Sequence, residues 1–484
     1  MVQGNSIRHA LVTGSTGYVG GEVIQQLIED GWAVRAFSRS RKKAKESSWA
    51  RHIVDGVAGP GQVEVFEGDA SDPDDLMVAL EGIDVAWYLL HSMGTGADFQ
   101  DLERSMAQGF ADAAHSRSVA RIIYLGGLHP AEEKLSKHLA SRVEVGEILL
   151  NSGVPTAVLQ AGVVLGDGST SFAMLRHLSE RLPGALGPNW ISNQITPISV
   201  RDAVHYLVAA AELPTEQNRT FDIGGPDTMA YAEMLRCHAR VLGLPRRLII
   251  TLPVVTPNTA AQWISLVTSV REKIAAPLIA SLLTDTVVKE RDLEKEVGTH
   301  PGGNQSFEEA ILAATKHLDT RRWRRTLLKT AGAVTACAAF GTLLTNPQDS
   351  WFRSLDKPEW QPPASLFPIV WTALYADIAV ISALVIADAE EKDLGSSMTF
   401  KRALAANLAL NASWSALFFR SGRLNLAAAG AGILAVSSAD VVRRAWNSSP
   451  QRGVVLAPYA MWTGFATVLS TSIAVLNRGR SKRR

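Results

Sequence analysis

Two kinds of apolar pattern divide the chain. Short apolar runs alternating with helical stripes fill roughly the first three hundred positions, and apolar runs of helical length fill the rest. His9-Ala-Leu-Val-Thr13 reads as a short buried strand, and Val23, Ile24, Leu27 and Ile28 recur as one face of a helix. Further strands are predicted at 33–37, 63–66, 85–90 and 121–125, each separated from the next by a helical pattern. Strand–helix–strand succession with apolar strands predicts a parallel sheet covered by helices on both faces.

Beyond residue 320 the period changes. Five apolar stretches follow, at roughly 326–344, 364–387, 403–419, 424–442 and 453–476. Lys329 lies in the first, Asp377 in the second and Asp440 near the end of the fourth. Runs of about 17–25 residues match the hydrocarbon thickness that a helix crosses. Five in succession predict an all-α, five-helix transmembrane bundle, and their small residues suit close packing in lipid. The basic run Arg321-Arg-Trp-Arg-Arg325 immediately before the first stretch reads as a membrane-surface anchor. The boundaries expected are 1–318 for the first domain, 319–350 for the basic segment and first membrane helix, and 351–484 for the remainder.

Composition sharpens this picture in three places. Seven of the twelve tryptophans lie beyond residue 320, which marks two segments built for different surroundings. The net charge of +1 gives no reason to expect a nucleic-acid partner. The only cysteines, Cys237 and Cys337, are a hundred residues apart, so no disulfide framework or CxxC metal site follows, and no metal is expected. The opening residues do not read as a secretory signal, so the first domain is expected in the cytosol.

The first strand runs into Gly14-Ser15-Thr16-Gly17-Tyr18-Val19-Gly20 and then a helix. A glycine turn in that setting lets backbone N–H groups and a helix N-terminus face a pyrophosphate. The second strand ends in Ser38-Arg39-Ser40-Arg41-Lys42-Lys43 instead of an acidic residue. That cluster suits the 2′-phosphate of NADP better than the free ribose of NAD, with Arg39 as the expected contact; the alternative is a solvated helix start. Ligands of such sheets bind beyond the strands' carboxyl ends, which puts Gly14, Asp69, His91 and Gly126 along one rim.

GSTGYVGG, GDASD, YLLHSMG and LQAGVVLGDGS together resemble the atypical extended short-chain dehydrogenase/reductases of the NmrA-like NAD(P)-binding group, over roughly residues 7–315. The resemblance implies a Rossmann-type fold. It also implies cofactor contacts at Asp69, Ala70, Leu90 and His91, and a substrate-facing part beginning near 161–172. The chain departs from the family where catalysis is expected. Gly126-Gly127 stands in place of the serine after the fifth strand. His138-Leu-Ala-Ser-Arg142 stands where Tyr-x-x-x-Lys belongs. Either His138 donates the proton and Arg142 holds phosphates or a substrate carboxylate, or the pair is a polar helix face and the catalytic apparatus is gone. His91 is likewise open between a general acid near the nicotinamide and a residue that shapes its turn.

WFRSLDKPEWQPP, FPIVWTALY, LNASWSALFF and APYAMWTGFATVL resemble the TspO/MBR family of tryptophan-rich sensory or translocator proteins, over about 326–477. In this light Lys357-Pro-Glu-Trp360-Gln-Pro-Pro363 is an interfacial entry to the second span. The resemblance implies a pocket for a flat hydrophobic molecule, lined by Trp371, Tyr375, Asn411, Trp414, Tyr459, Trp462 and Phe465. A porphyrin is favoured over a sterol, because no sterol-recognition pattern closes the fifth helix. A homodimer through the membrane helices is a further expectation. The basic residues at 321–325, 401–402 and 443–444 place the N-terminal domain in the cytoplasm by the positive-inside rule, although the basic tail then falls outside. The whole reads as a multi-pass cell-membrane protein with an NADP-binding, reductase-like domain. The alternative is a non-catalytic sensor coupling NADP occupancy to tetrapyrrole binding; transport alone is a third reading.

Overall fold

The computed structural model describes residues 7–90, 99–130, 135–252, 256–346 and 348–478. They form two compact units, one of Met1–Ile264 with Glu272–Leu318, the other of Ser265–Arg271 with Asp319–Arg484.

In the first unit, seven strands among the described residues make one parallel sheet. They are β1 (His9–Val12), β2 (Ala33–Ser38), β3 (Val63–Glu67), β4 (Val85–Tyr88), β5 (Arg121–Gly127), β6 (Thr156–Ala161) and β7 (Arg219–Ile223). Their spatial order is β7-β6-β5-β4-β1-β2-β3, which reverses direction at β1. Helices α1 (Tyr18–Glu29), α2 (Phe99–Ser116) and α3 (Lys137–Leu150) lie among the crossovers.

Alternation along each strand explains the two covered faces. Ala10, Val12, Trp87, Ile123 and Leu125 enter one core with Val23, Ile24 and Leu27 of α1. Leu11, Ala86, Tyr88, Ile122 and Tyr124 enter the other with Phe110 of α2 and Val145 of α3. Both sets are apolar, so the strands read as continuous hydrophobic runs. Trp87 is fully buried, and its indole N–H is satisfied by the Leu207 carbonyl at 2.9 Å.

The second unit contains five long helices among the described residues: α4 (Arg322–Leu344), α5 (Leu366–Lys392), α6 (Leu394–Ser415), α7 (Leu424–Ser448) and α8 (Pro450–Leu476). Four of them, α4, α5, α7 and α8, are long and apolar enough to cross a membrane. Helix α6 falls short because it begins in Leu-Gly-Ser-Ser-Met-Thr-Phe-Lys-Arg, nine residues before the apolar stretch at 403. Its Lys401 bonds Glu390 of α5 at 2.6 Å, so the polar start is held by packing between helices. The basic run 321–325 is continuous with α4, where Arg322 pairs with Glu391. The connection after α4 is pinned to the last helix by Asp356 N–H to Asn477 Oδ1 (3.0 Å) and Asn477 Nδ2 to the Asp356 carbonyl (2.8 Å).

One buried ion pair organises an end of this unit. Arg452 is 1% exposed and donates to Asp388 Oδ2 at 2.7 Å. It also donates to the carbonyls of Leu266 (3.0 Å) and Thr268 (2.9 Å) and to Ser448 Oγ (3.1 Å). Ser449 Oγ reaches the Ser265 carbonyl at 3.3 Å. Residues 265–271 therefore belong to the helical unit despite their place in the sequence.

Candidate functional site

The nucleotide rim is built where β1 gives way to α1. Gly14 has φ +63° and lies against the end of β4, where an added Cβ would sit 2.3 Å from the Leu89 carbonyl oxygen. At Gly20 an added Cβ would fall 2.4 Å from the Gly14 carbonyl, so the turn and helix can approach only without side chains. Gly17 caps α1, and Gly21 N–H is bonded to the Gly17 carbonyl at 2.9 Å. The N–H groups of the first turn, at Tyr18, Val19 and Gly20, precede that bond and have no partner within the helix. Together with the helix dipole they make an anion cradle that fits a pyrophosphate.

Not every residue of the turn is available through its side chain. Ser15 is buried and its hydroxyl donates to the Phe37 carbonyl at 2.8 Å, while its own carbonyl accepts from the Trp49 indole N–H at 3.2 Å, which together lock the turn in place. Thr16 is exposed at the tip. Tyr18 donates to Asp167 Oδ1 at 3.1 Å, and its ring fills the space over Gly166 and Gly168. Burial, then the Asp167 and Glu22 carboxylates, push the Tyr18 phenol well above its ordinary range.

Beyond β2, Ser38 is buried and shares its hydroxyl with Ser40, whereas Arg39 is exposed. Asp69 accepts from Ser71 N–H (3.0 Å) and Ser71 Oγ (2.8 Å). These bonds hold its carboxyl below the usual range, and Arg39 adds to the effect. Arg39 and Asp69 thus flank one place beyond β2 and β3. Ala70 is buried, and Leu90 is half-buried against the core of α2 and α3. His91 lies outside the described residues.

On the other side of the glycine turn, the position of the absent serine is taken by Arg142. A Cβ on Gly127 would meet Arg142 Nη1 at 3.5 Å and Leu139 Cδ1 at 3.1 Å. Arg142 Nε is buried and has no hydrogen-bond partner among the described residues. His138 lies one turn earlier on α3, its ring 6.4 Å from that of Phe99. Burial, helped by Arg142, lowers its pKa to about 4, so at neutral pH it offers one N–H and one lone pair. A cleft of about 330 Å³ lies elsewhere, lined by Arg35, Glu64 and Phe66 of β2 and β3 and by Arg41 just beyond β2. An internal ion pair of Arg35 with Glu64 already occupies part of it.

In the second unit, three of the seven expected pocket residues are joined directly. Tyr375 donates to Asn411 Oδ1 at 2.9 Å, Asn411 Nδ2 donates to Tyr459 Oη at 3.2 Å, and Tyr459 donates to Asn407 Oδ1 at 2.7 Å. Trp371 lies against this chain, 5.2 Å from the Tyr375 ring and 6.5 Å from Tyr459. Trp462 stacks on Phe465 at 5.3 Å, and Phe367 and Trp360 extend the aromatic ladder at 5.7 and 5.8 Å. Trp414 stands apart, stacked on Phe418 at 5.4 Å with its indole N–H on the Ala427 carbonyl. Asn407, Trp360 and Phe367 were not among the expected residues. Asn407 could have been found from its place one helical turn before Asn411.

The fold and rim define a Rossmann-type, NAD(P)-binding unit, and the chain continues into helices long and apolar enough to cross a membrane. Over residues 14–162 the chain matches the NAD(P)H-binding family, and over 330–476 the TspO/MBR family. It is 32% identical over 151 residues to the tryptophan-rich sensory protein of Cereibacter sphaeroides, covering 31% of this chain and 91% of that one. Through these residues the chain belongs to the TspO/MBR family. A ceramide reductase of Caulobacter vibrioides is 28% identical over 244 residues, 49% of this chain and 72% of that protein. Among solved structures, the Citrobacter triphenylmethane reductase complexed with NADP(H) covers 63% of this chain and 99% of its own, at 21% identity and a TM-score of 0.48.

Proposed function

We propose that the chain is a membrane-anchored, NADP-dependent reductase of a lipid-soluble substrate, its nucleotide unit in the cytosol and its helices crossing the membrane five times. The observation that carries this reading is the pairing of Arg39 with an open anion cradle at Tyr18–Gly20, in a chain that continues into membrane helices. A guanidinium beyond β2 suits a 2′-phosphate, where a carboxylate would repel it. The likeness to a ceramide reductase supports a lipid carrying amide and hydroxyl groups.

Bound reduced nicotinamide supplies hydride. The residues of the chain position the substrate around it. Arg142, fixed over Gly127, is a permanent cation for the oxygen on which charge develops. His138, held neutral, supplies a hydrogen bond. In the second unit the ladder of Trp360, Phe465, Trp462 and Phe367 takes a flat hydrophobic ligand such as a porphyrin by stacking. Basic residues at 321–325, 401–402 and 443–444 keep their ends of the helices on the cytosolic side.

Titration of NADPH and NADH fluorescence against the full chain in detergent tests the nucleotide assignment. NADPH is expected to bind more tightly, and Arg39→Ala to weaken it on the order of ten- to a hundred-fold with little change for NADH. Equal affinity of the wild type for the two cofactors overturns the NADP assignment.

A further inference from the structure

The far end of the rim carries a polar cluster that neither the glycine turn nor Arg142 uses. Strand register puts Gly126 of β5, Gln160 of β6 and Asp222 of β7 side by side near their carboxyl ends. Paired residues of parallel strands project to one face, so Gln160 and Asp222 are neighbours there. His129, two residues beyond β5, lies with Nε2 3.1 Å from Gln160 Nε2 and Nδ1 3.1 Å from the Pro130 carbonyl. The carbonyl can only accept, so Nδ1 carries the hydrogen and Nε2 accepts from the Gln160 amide. Lys289 closes the group: its ammonium donates to the His129 carbonyl at 3.3 Å and its backbone N–H to Asp222 Oδ2 at 2.8 Å. Burial raises the Asp222 carboxyl above its usual range, and Glu290 adds to this.

The order of strands fixes what this cluster can reach. Arg39 and Asp69 stand beyond β2 and β3, the glycine turn beyond β1, and Arg142 over the end of β5. A dinucleotide laid from the Arg39 side across the turn would bring its reacting ring toward β4 and β5. Strands are about 4.8 Å apart, so Gln160 and Asp222 lie roughly 5–10 Å further on. A dinucleotide so laid would end short of them, which would leave these groups to a substrate. The groups presented there are an amide, an imidazole, an exposed ammonium and a carboxyl, which can both donate and accept. A bare hydrocarbon has no use for them.

We propose that His129, Gln160, Asp222 and Lys289 form the head-group pocket of the substrate, taking the amide and hydroxyl groups of a lipid whose chain lies elsewhere. This rests on the reductase reading above, and it assigns that site its polar pole. The amide of Gln160 can present either its N–H₂ or its oxygen, so it can serve a head group of either polarity.

The test uses the full chain in nanodiscs, saturated with NADP⁺, with N-hexanoylsphingosine as probe. Binding is read by calorimetry, and NADPH affinity is measured separately by fluorescence. Gln160→Leu and Lys289→Gln are each expected to weaken the lipid about ten-fold while NADPH affinity stays within about two-fold. Lys289 is exposed, so its variant keeps the test independent of folding. Lipid affinity unchanged in both variants, with wild-type binding intact, overturns the head-group pocket alone. A wild type that binds NADPH but not the lipid overturns the lipid reading, and the pocket with it.

Discussion

Replacing Asp388 or Arg452 singly should cost the helical unit far more than replacing both. Arg452 is 1% exposed, and Asp388 is its buried partner at 2.7 Å. In Asp388→Asn the guanidinium stays buried beside a neutral amide. In Arg452→Met the carboxylate stays buried, and the Leu266 and Thr268 carbonyls lose their donor. Breaking a buried pair from one side costs about 3–5 kcal/mol, because the surviving charge is uncompensated. At about 2–4 °C per kcal/mol for a unit of this size, each single variant should melt about 6–20 °C lower. In Asp388→Leu/Arg452→Met no buried charge remains, and the ion-pair part of the loss should return. The part due to the two carbonyls should not, so the double variant should lie between wild type and Arg452→Met. The assay is fluorescence-detected thermal stability of the full chain in detergent, completed as a double-mutant cycle with Asp388→Leu. Additive losses would refute the reasoning, since they would mean that the charges do not depend on one another.

Four further outcomes follow from the first unit. Gly14→Ala should abolish NADPH binding, because its Cβ falls 2.3 Å from the Leu89 carbonyl at φ +63°; retained affinity in a fluorescence titration would contradict the closeness of the turn to β4. Gly168→Ala should displace the Tyr18 ring, whose Cδ2 would lie 2.3 Å from the new methyl, and weaken NADPH at least several-fold. Tyr18→Phe should lose about 1 kcal/mol of stability with the ring left in place, read by chemical denaturation. Stability should also fall as pH drops from about 6.5 towards 4. His138 and His238 have pKa values lowered to about 4 and about 3, chiefly by burial, so the unfolded chain takes up their protons first. His138→Asn should flatten that slope between the two values, and melting curves at pH 7.5, 5.5 and 4.5 that stay parallel to wild type would count against a buried neutral imidazole.

What could be read in advance is what the chain decides locally. The strands β1 to β5 and the turn at Gly14 are legible because alternation, helical periodicity and glycine spacing all act within a few residues. The extent of α6 was not, because its polar start at Lys401 is stabilised by Glu390 of another helix and leaves no mark in hydropathy. The same holds for Arg452. It stands just before the last apolar run and reads as loop, yet it is inside α8, because Asp388 and the carbonyls of 266 and 268 are brought to it by the fold. The clasp of Tyr18 on Asp167 joins positions 149 residues apart. Motif matching grouped seven aromatic and amide residues of the helical unit, but Trp414 packs on Phe418 instead, since its indole N–H is satisfied by α7. The rim shows the division most clearly. That Gly126-Gly127 lacks a serine hydroxyl is written in the sequence. That a guanidinium from α3 lies in the room so left depends on how closely α3 packs on β5, and a missing side chain can be read from a sequence where its replacement in space cannot.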